Sequence, residues 1–288
     1  MQISTIPTLR IMIAGCLILA SNHGIQSASA QSAAATTSAP IFSYADYADL
    51  AVAAPVVAKA QITQATALGS RQATGVPAGF KRFYVEAKVI GLIRGDNGIS
   101  PTISYLYDAP LDRKGKAPKL KKRQVLIFTR PGAKTGQLQL VARDAQIDWT
   151  PTADSSVKSV VSELLGQNVP PHIVGVGDAF HVAGTIAGEG ETQIFLKTQD
   201  GQPVSLSIIS RPGQQPQWAV ALGEVVDEAA AAPRRGTLLW YRLACDLPAE
   251  LPAASTRTLG AIDAEAARRD YAVVLAGLGQ CGRTRKPA

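Results

Sequence analysis

The chain has 288 residues, 46% of them hydrophobic, which is enough to bury a large core in one large or two modest domains. It carries 29 basic and 22 acidic residues, a formal net charge of +7. The excess is local, because without Arg10, the loop Arg113–Arg123 and the tail 282–288 only 18 basic residues remain against 22 acidic ones. This distribution excludes a generally cationic protein and indicates a near-neutral body with two cationic spots.

The first thirty residues have the order of a secretory signal peptide. Arg10 precedes the apolar run IMIAGCLILA, and small residues follow at Ala28 and Ala30. We expect cleavage after Ala30, which would place the mature chain in the periplasm or outside the cell. The letters IAGC, which end at Cys16, also resemble a lipobox, so a lipoprotein anchored at Cys16 is the alternative. No other stretch is long and apolar enough to predict a transmembrane segment, and residues 31–42 are typical of a flexible leader.

Cleavage at that position would leave Cys245 and Cys281 as the only cysteines. An even pair in an exported protein is most simply a disulfide, here closing a loop of about 37 residues. Two buried free thiols are the alternative. No metal site is expected, because two sulfurs so far apart lack the clustered His and Cys partners that zinc needs.

The first half of the chain is predicted to be mainly β. A helix is expected at Tyr44–Ala54, with Ser43 as its N-cap and Pro55 after its end. Alternating apolar positions and turn residues then predict five strands. They are Val56–Thr63, Arg82–Ile93, Thr102–Asp108, Gln124–Thr129 and Leu138–Ala142. Five strands joined by short turns suit a small closed barrel.

A change in the spacing of the hydrophobic residues, from strand-like to helical, separates the two halves of the chain. Helical spacing over Thr152–Gly166, with Asp154 as the expected cap, is followed by Pro170–Pro171, which marks the best domain boundary. A second β region then comprises Ala179–Ile186, Thr192–Thr198, Pro203–Ser210 and Gln217–Val226. Two helices are predicted at Thr237–Cys245 and Asp263–Gly279, the latter with Asp263 as N-cap and Gly279 as its stop.

Three stretches of the first half, ADLAVAAPVVAKAQIT, YVEAKVIGLIRGD and LKKRQVLIF, resemble in order the netrin-like, or tissue-inhibitor-of-metalloproteinase-like, OB-fold barrels. The resemblance covers about Ala48–Val141. The matching positions are Val85, Val89, Arg94, Gly95, Leu120, Leu126 and Phe128, whereas Lys122 stands at the family's glycine and Val125 at its tyrosine. The resemblance implies a five-stranded barrel. It does not imply the family's zinc-chelating mechanism, because no cysteine lies near Gln31.

The whole chain, including GEGETQIFL and TLLWYRLAC, also resembles uncharacterised exported bacterial proteins, which implies no activity. The expected class is α+β, mainly antiparallel β. An OB-like, netrin-like barrel with a terminal helix would occupy 43–168, and a β-meander with disulfide-linked helices would occupy 169–281. A basic tail, 282–288, would follow.

Seven bases without an intervening acid make the loop Arg113–Arg123 the strongest binding candidate. They are Arg113, Lys114, Lys116, Lys119, Lys121, Lys122 and Arg123. One interpretation is a contact for phosphate-bearing envelope lipid or an acidic envelope protein. The other is a solvated turn whose charge guards the aggregation-prone strand that follows.

Candidates for catalysis are few. His181 with Glu189 and Glu191 are close in sequence and could supply acid/base or metal-assisted hydrolysis. A zinc site would need His172 and a carboxylate such as Asp178 as well. A hydrogen-bonded histidine and a solvated hairpin turn explain the same residues, so we predict no catalytic or metal site and no cofactor.

Two functions follow from these observations. The first is a non-enzymatic exported binding protein whose partner is an envelope protein or an anionic envelope surface. The second is a hydrolase that uses His181, Glu189 and Glu191. Nucleic acid is not an expected partner, because Trp149, Trp218 and Trp240 are scattered rather than interleaved with bases.

Overall fold

Two antiparallel sheets and four α-helices make up the fold in residues 42–223 and 231–285, which are the residues that the computed structural model describes. The α+β class with mainly antiparallel strands is confirmed. The expected signal peptide, its cleavage after Ala30, the lipobox at Cys16 and nearly all of the leader lie outside the described residues. So does the end of the strand predicted at Gln217–Val226.

The first sheet contains six strands. They are β1 (Val56–Ala67), β2 (Phe80–Arg94), β3 (Thr102–Pro110), β4 (Gln124–Pro131), β5 (Leu138–Leu140) and β6 (Gln146–Asp148). The order is β3-β2-β1-β4-β5, and β6 pairs with β4. The two ends of this order meet at one parallel bridge between Ser104 and Gln137. One bridge does not close the sheet, so the described residues form no closed barrel.

Alternation along β2 sets one side of this sheet. Phe83, Val85 and Ala87 are buried, while Tyr84 and Lys88 between and after them are exposed. The buried side chains pack with apolar residues of β1, β3 and β4 in one hydrophobic cluster. The period of two seen in the sequence therefore places the strand as predicted.

The helices of the first half begin at polar caps. Ser43 caps α1 (Tyr44–Ala53) in a capping box with Asp46, as expected for its cap. Helix α2 (Pro151–Leu164) is capped by Thr150, so the prediction that Asp154 caps it was wrong. Pro151 fits the first helical position, which puts the capping oxygen one residue before it.

The second sheet has four strands in the order β10-β9-β8-β7. Their bounds are β7 (Ile173–Ala183), β8 (Gly190–Thr198), β9 (Val204–Ser210) and β10 (Gln217–Leu222). Helix α3 (Leu238–Asp246), a 3-10 turn (Ala253–Thr256) and α4 (Ala261–Leu278) follow. Gly260, not Asp263, occupies the N-cap position of α4, whereas Gly279, at a φ of 68°, ends it as predicted.

A hydrophobic core joins elements from both halves of the chain. It includes Phe128 of β4, Val157 of α2, Leu206 of β9 and Tyr271 of α4, each almost fully buried. The division into domains at 168/169 stays a prediction. None of the helices in the described ranges combines the length and the apolar character needed to span a membrane.

Candidate functional site

The basic loop, Arg113–Arg123, starts with a turn built on Asp112. The Asp112 carboxylate accepts the backbone N–H groups of Lys114 and Lys116, both at 2.8 Å. The Asp112 N–H in turn donates to the carbonyl of Lys116 at 2.9 Å. An aspartate that bonds to backbone two and four residues on holds the turn without using any basic side chain.

The far end of the basic loop is fastened to β1. Leu120 is buried, and its carbonyl accepts the Arg123 N–H at 3.1 Å. The Lys122 N–H donates to the carbonyl of Ile62 at 2.8 Å, and the Ile62 N–H donates to the carbonyl of Arg123 at 2.9 Å. The basic side chains therefore project from a backbone that is hydrogen-bonded at both ends.

Lys122 is the one non-glycine residue with positive φ among the described residues, at 71°. This conformation costs an L-residue with a Cβ roughly 1–2 kcal/mol. The netrin-like resemblance places a glycine at this position, and the backbone here has the conformation that glycine favours. A glycine at this position would therefore avoid the strain of Lys122.

The charges of the basic loop face solvent. All seven basic residues are exposed. Arg123 pairs with Asp148 at 3.1 Å, and this pair is itself about half exposed. Among the described residues, no carboxylate lies within ion-pair distance of the other six bases. The basic loop is therefore a surface of nearly uncompensated positive charge.

The tail, predicted as a second cationic spot, is different. Arg283 makes a bidentate ion pair with Asp49, with N–O distances of 2.8 and 2.9 Å. Arg285 pairs in the same way with Asp144, at 3.0 and 2.8 Å. The expectation of a free cationic spot was wrong for these two arginines, because carboxylates distant in sequence neutralise them.

Asp46 of α1 also bonds to the tail. Together with the ion pairs of Arg283 and Arg285 it forms what we call the tail network. Asp46 is fully buried and accepts the backbone N–H groups of Thr284 and Arg285, at 2.8 and 3.0 Å, and the Thr284 hydroxyl at 2.7 Å. Burial acts to raise the pKa of Asp46, but these hydrogen bonds and the Ser43 N–H outweigh it and lower the pKa below its ordinary value. The Asp46 carboxylate is therefore charged at neutral pH, and hydrogen bonds from the protein replace those of water.

The tail network is preceded by the predicted disulfide. The sulfurs of Cys245 and Cys281 are 2.04 Å apart, so the disulfide is confirmed and the alternative of two free thiols was wrong. It joins the end of α3 to the segment after α4 and lies two residues before Arg283. The cross-link therefore limits how far the tail can move from Asp49.

His181 lies in a polar cluster beneath the second sheet. Its Nδ1 is 2.8 Å from the hydroxyl oxygen of Thr192, its cross-strand neighbour. The Thr192 hydroxyl donates to the carboxylate of Asp270 in α4. Since a hydroxyl has one proton to donate, the Thr192 oxygen accepts from Nδ1–H of His181. Thr192 is fully buried, so this cluster ties α4 to the sheet and presents no accessible nucleophile.

The two glutamates proposed to act with His181 do not join it. Glu191 precedes Thr192 on β8, so its side chain lies on the opposite face of the sheet from the histidine. Glu189 packs against the backbone of Gly184 in the hairpin loop. His172 bonds to Gln199 at 3.1 Å and lies 3.5 Å from Asp246. The three catalytic candidates therefore do not converge on one site.

No group of three or more His, Cys, Asp or Glu side chains that could hold a metal ion occurs in the part of the chain that the structure describes.

Comparison with known proteins gives no family, since no family model matches the chain and no curated protein matches it significantly. The netrin-like resemblance stays a prediction.

Proposed function

We propose that the protein is a non-enzymatic exported binding protein whose basic loop contacts the anionic, phosphate-bearing surface of the envelope. The observation that carries the proposal is the set of six exposed bases that pair with no carboxylate of the described residues, on a loop fastened at both ends. A solvated turn without a function has no need of a strained lysine at Lys122.

The expected strength of this contact follows from the charge count. A basic residue near an anionic leaflet contributes about 1 kcal/mol. Six bases would then contribute at most about 6 kcal/mol, equivalent to a Kd of about 40 μM in accessible lipid. Such binding is reversible and depends strongly on salt, because exposed charges are screened within a Debye length of about 10 Å at 0.1 M.

The proposal includes an OB-like barrel as the scaffold of the basic loop. Support comes from the Ser104–Gln137 bridge between the ends of the first sheet and from the N–H of Ser104, which donates to the Gly136 carbonyl at 2.8 Å. In that arrangement the basic loop is part of the connection from β3 to β4.

Cosedimentation with vesicles tests the function. Vesicles of phosphatidylcholine with and without phosphatidylglycerol would be mixed with the wild type and with a variant in which Lys119, Lys121, Lys122 and Arg123 are replaced by Gln. We expect binding to the anionic vesicles only, its loss at high salt, and at least a roughly ten-fold loss in the variant.

The matched control removes four exposed bases elsewhere by replacing Lys88, Lys134, Lys197 and Arg211 with Gln. This variant has the same net charge as the loop variant and should bind like the wild type. Absence of wild-type binding at low salt, or equal losses in the two variants, would show that the basic loop is only a turn.

A further inference from the structure

A second cationic surface lies where the two ends of the first sheet approach each other. An open groove of about 680 Å³ runs between β3 and β5 and is bounded by the ends of β2 and β4 and by residues 141–143. Its size is within the range of small-molecule sites. The basic loop contributes no residue to its lining.

Three arginines and one aspartate carry the charge of the groove. Arg82 makes a bidentate ion pair with Asp108, with N–O distances of 2.6 and 2.8 Å, and both side chains are largely buried. Arg143 lies 3.9 Å from the same carboxylate, with its guanidinium 5.3 Å from the ring centre of Phe80. Asp108 can neutralise only one of these arginines, so the groove keeps a positive charge at this end.

Arg130 adds a second available guanidinium. Its Nε donates to the side-chain carbonyl of Gln139 at 3.1 Å, which is a neutral partner. No carboxylate in the described ranges lies within ion-pair distance of Arg130. Gln139 fixes the orientation of the guanidinium, and the terminal nitrogens keep donors to offer. Arg130 and Arg143 are both exposed, in contrast to Arg82.

The floor between these arginines is partly apolar. Tyr84 of β2 and Leu106 of β3 are direct cross-strand neighbours, and they are 37% and 48% exposed. Adjacent exposed Tyr and Leu side chains form a flat patch that suits the face of a ring. The groove therefore combines a ring-sized apolar floor with two guanidinium groups.

We propose that this groove binds a small ring-bearing organic anion. Its ring lies on Tyr84 and Leu106, and its carboxylate or phosphate accepts hydrogen bonds from Arg130 and Arg143. The Arg82–Asp108 pair holds one side of the groove in place and does not contact the anion. The proposal rests on the lining of the groove and is independent of the basic loop.

Titration followed by the NMR shifts of the backbone amides of β3 and β5 tests this proposal. Three probes share one ring, namely glucuronate, glucose 1-phosphate and uncharged glucose. We expect saturable shifts with one or both anions and none with glucose. The two anions separate a carboxylate ligand from a phosphate ligand.

Two variants separate the groove from general charge. Replacing Arg130 and Arg143 with Gln should weaken anion binding roughly ten-fold or more, because charge-assisted hydrogen bonds are lost. Replacing Lys119 and Lys121 of the basic loop with Gln removes the same charge and should change the Kd less than about two-fold. The groove variant should fold, since Asp108 keeps its pair with Arg82.

Three results would overturn the proposal. The first is the absence of saturable shifts with either anion up to about 10 mM, a concentration that would detect even weak sites. The second is glucose binding as tightly as the anions. The third is an equal loss of affinity in the groove and loop variants. Vesicle binding by the basic loop has no bearing on any of these results.

Discussion

Replacing Lys122 with Gly should make the protein more stable and a weaker binder of anionic membranes. The Lys122 N–H is held by the carbonyl of Ile62, so the backbone keeps its φ of 71° whichever residue is present. Glycine adopts this conformation without the steric penalty that a Cβ incurs. The same substitution removes one of the six bases of the loop that pair with no described carboxylate.

The size of the effect is best taken from a comparison with Ala. Both substitutions remove the same charge and the same long side chain, but Ala keeps the Cβ and hence the strain. We expect the Gly variant to exceed the Ala variant by about 1 kcal/mol in free energy of unfolding. For a chain of this size that difference corresponds to about 2–4 °C in Tm.

Urea denaturation of the two variants and of the wild type measures this difference, provided that their m-values agree. Vesicle cosedimentation of the same samples should show equal, modest losses of binding. If the Ala variant is as stable as the Gly variant, Lys122 is not strained. The conformation of Lys122 would then give no support to a role for the basic loop.

Three further predictions concern stability. Asp46→Asn should cost about 2–3 kcal/mol, because the buried carboxylate accepts several hydrogen bonds. The pKa of Asp46 in the folded protein lies below the ordinary 3.8. Its contribution to the free energy of unfolding is therefore complete above pH 3.8 and is lost as the pH falls through the lower folded pKa. Denaturation curves of the wild type and of Asp46→Asn at acid pH measure this loss. Replacing Cys245 and Cys281 with Ser should lower the free energy of unfolding by about 3–4 kcal/mol in the loop-entropy model, and an unchanged urea midpoint would refute this. Gly190→Ala should destabilise by about 1–3 kcal/mol, because its Cβ would lie 2.9 Å from the His181 ring, whereas Gly69→Ala, with open space around it, should leave the Tm nearly unchanged.

Local patterns in the sequence were good predictors of the elements. The alternation in β2 and the cap at Ser43 each depend on residues a few positions apart, and both predictions are confirmed. The misplaced cap of α2 was also a local question, since a Thr before Pro151 is a strong start signal. Strand β6 was missed because three residues are too few to show a period.

Side-chain partnerships between distant segments could not be predicted in this way. The groove takes Arg82, Arg130 and Arg143 from separate strands and loops, with no motif to relate them. The tail looked like a cationic spot because its partners on α1 are far away in sequence. The positive φ of Lys122 could not be predicted from its residue type, because residues with a Cβ seldom adopt this conformation.

The tail network has a consequence for the order in which the protein can finish folding. Asp46 and Thr284 are 238 residues apart, so three of the four hydrogen bonds to the Asp46 carboxylate form only when Thr284 and Arg285 are available. Contacts of such sequence separation form late, because the closure of a long loop must come first. A chain that lacks residues 283–285 would keep every strand described above, yet the Asp46 carboxylate would have only the Ser43 N–H as a donor. Helix α1 would then open more often, and proteases that cleave opened states would cut the incomplete chain there, far from the missing residues.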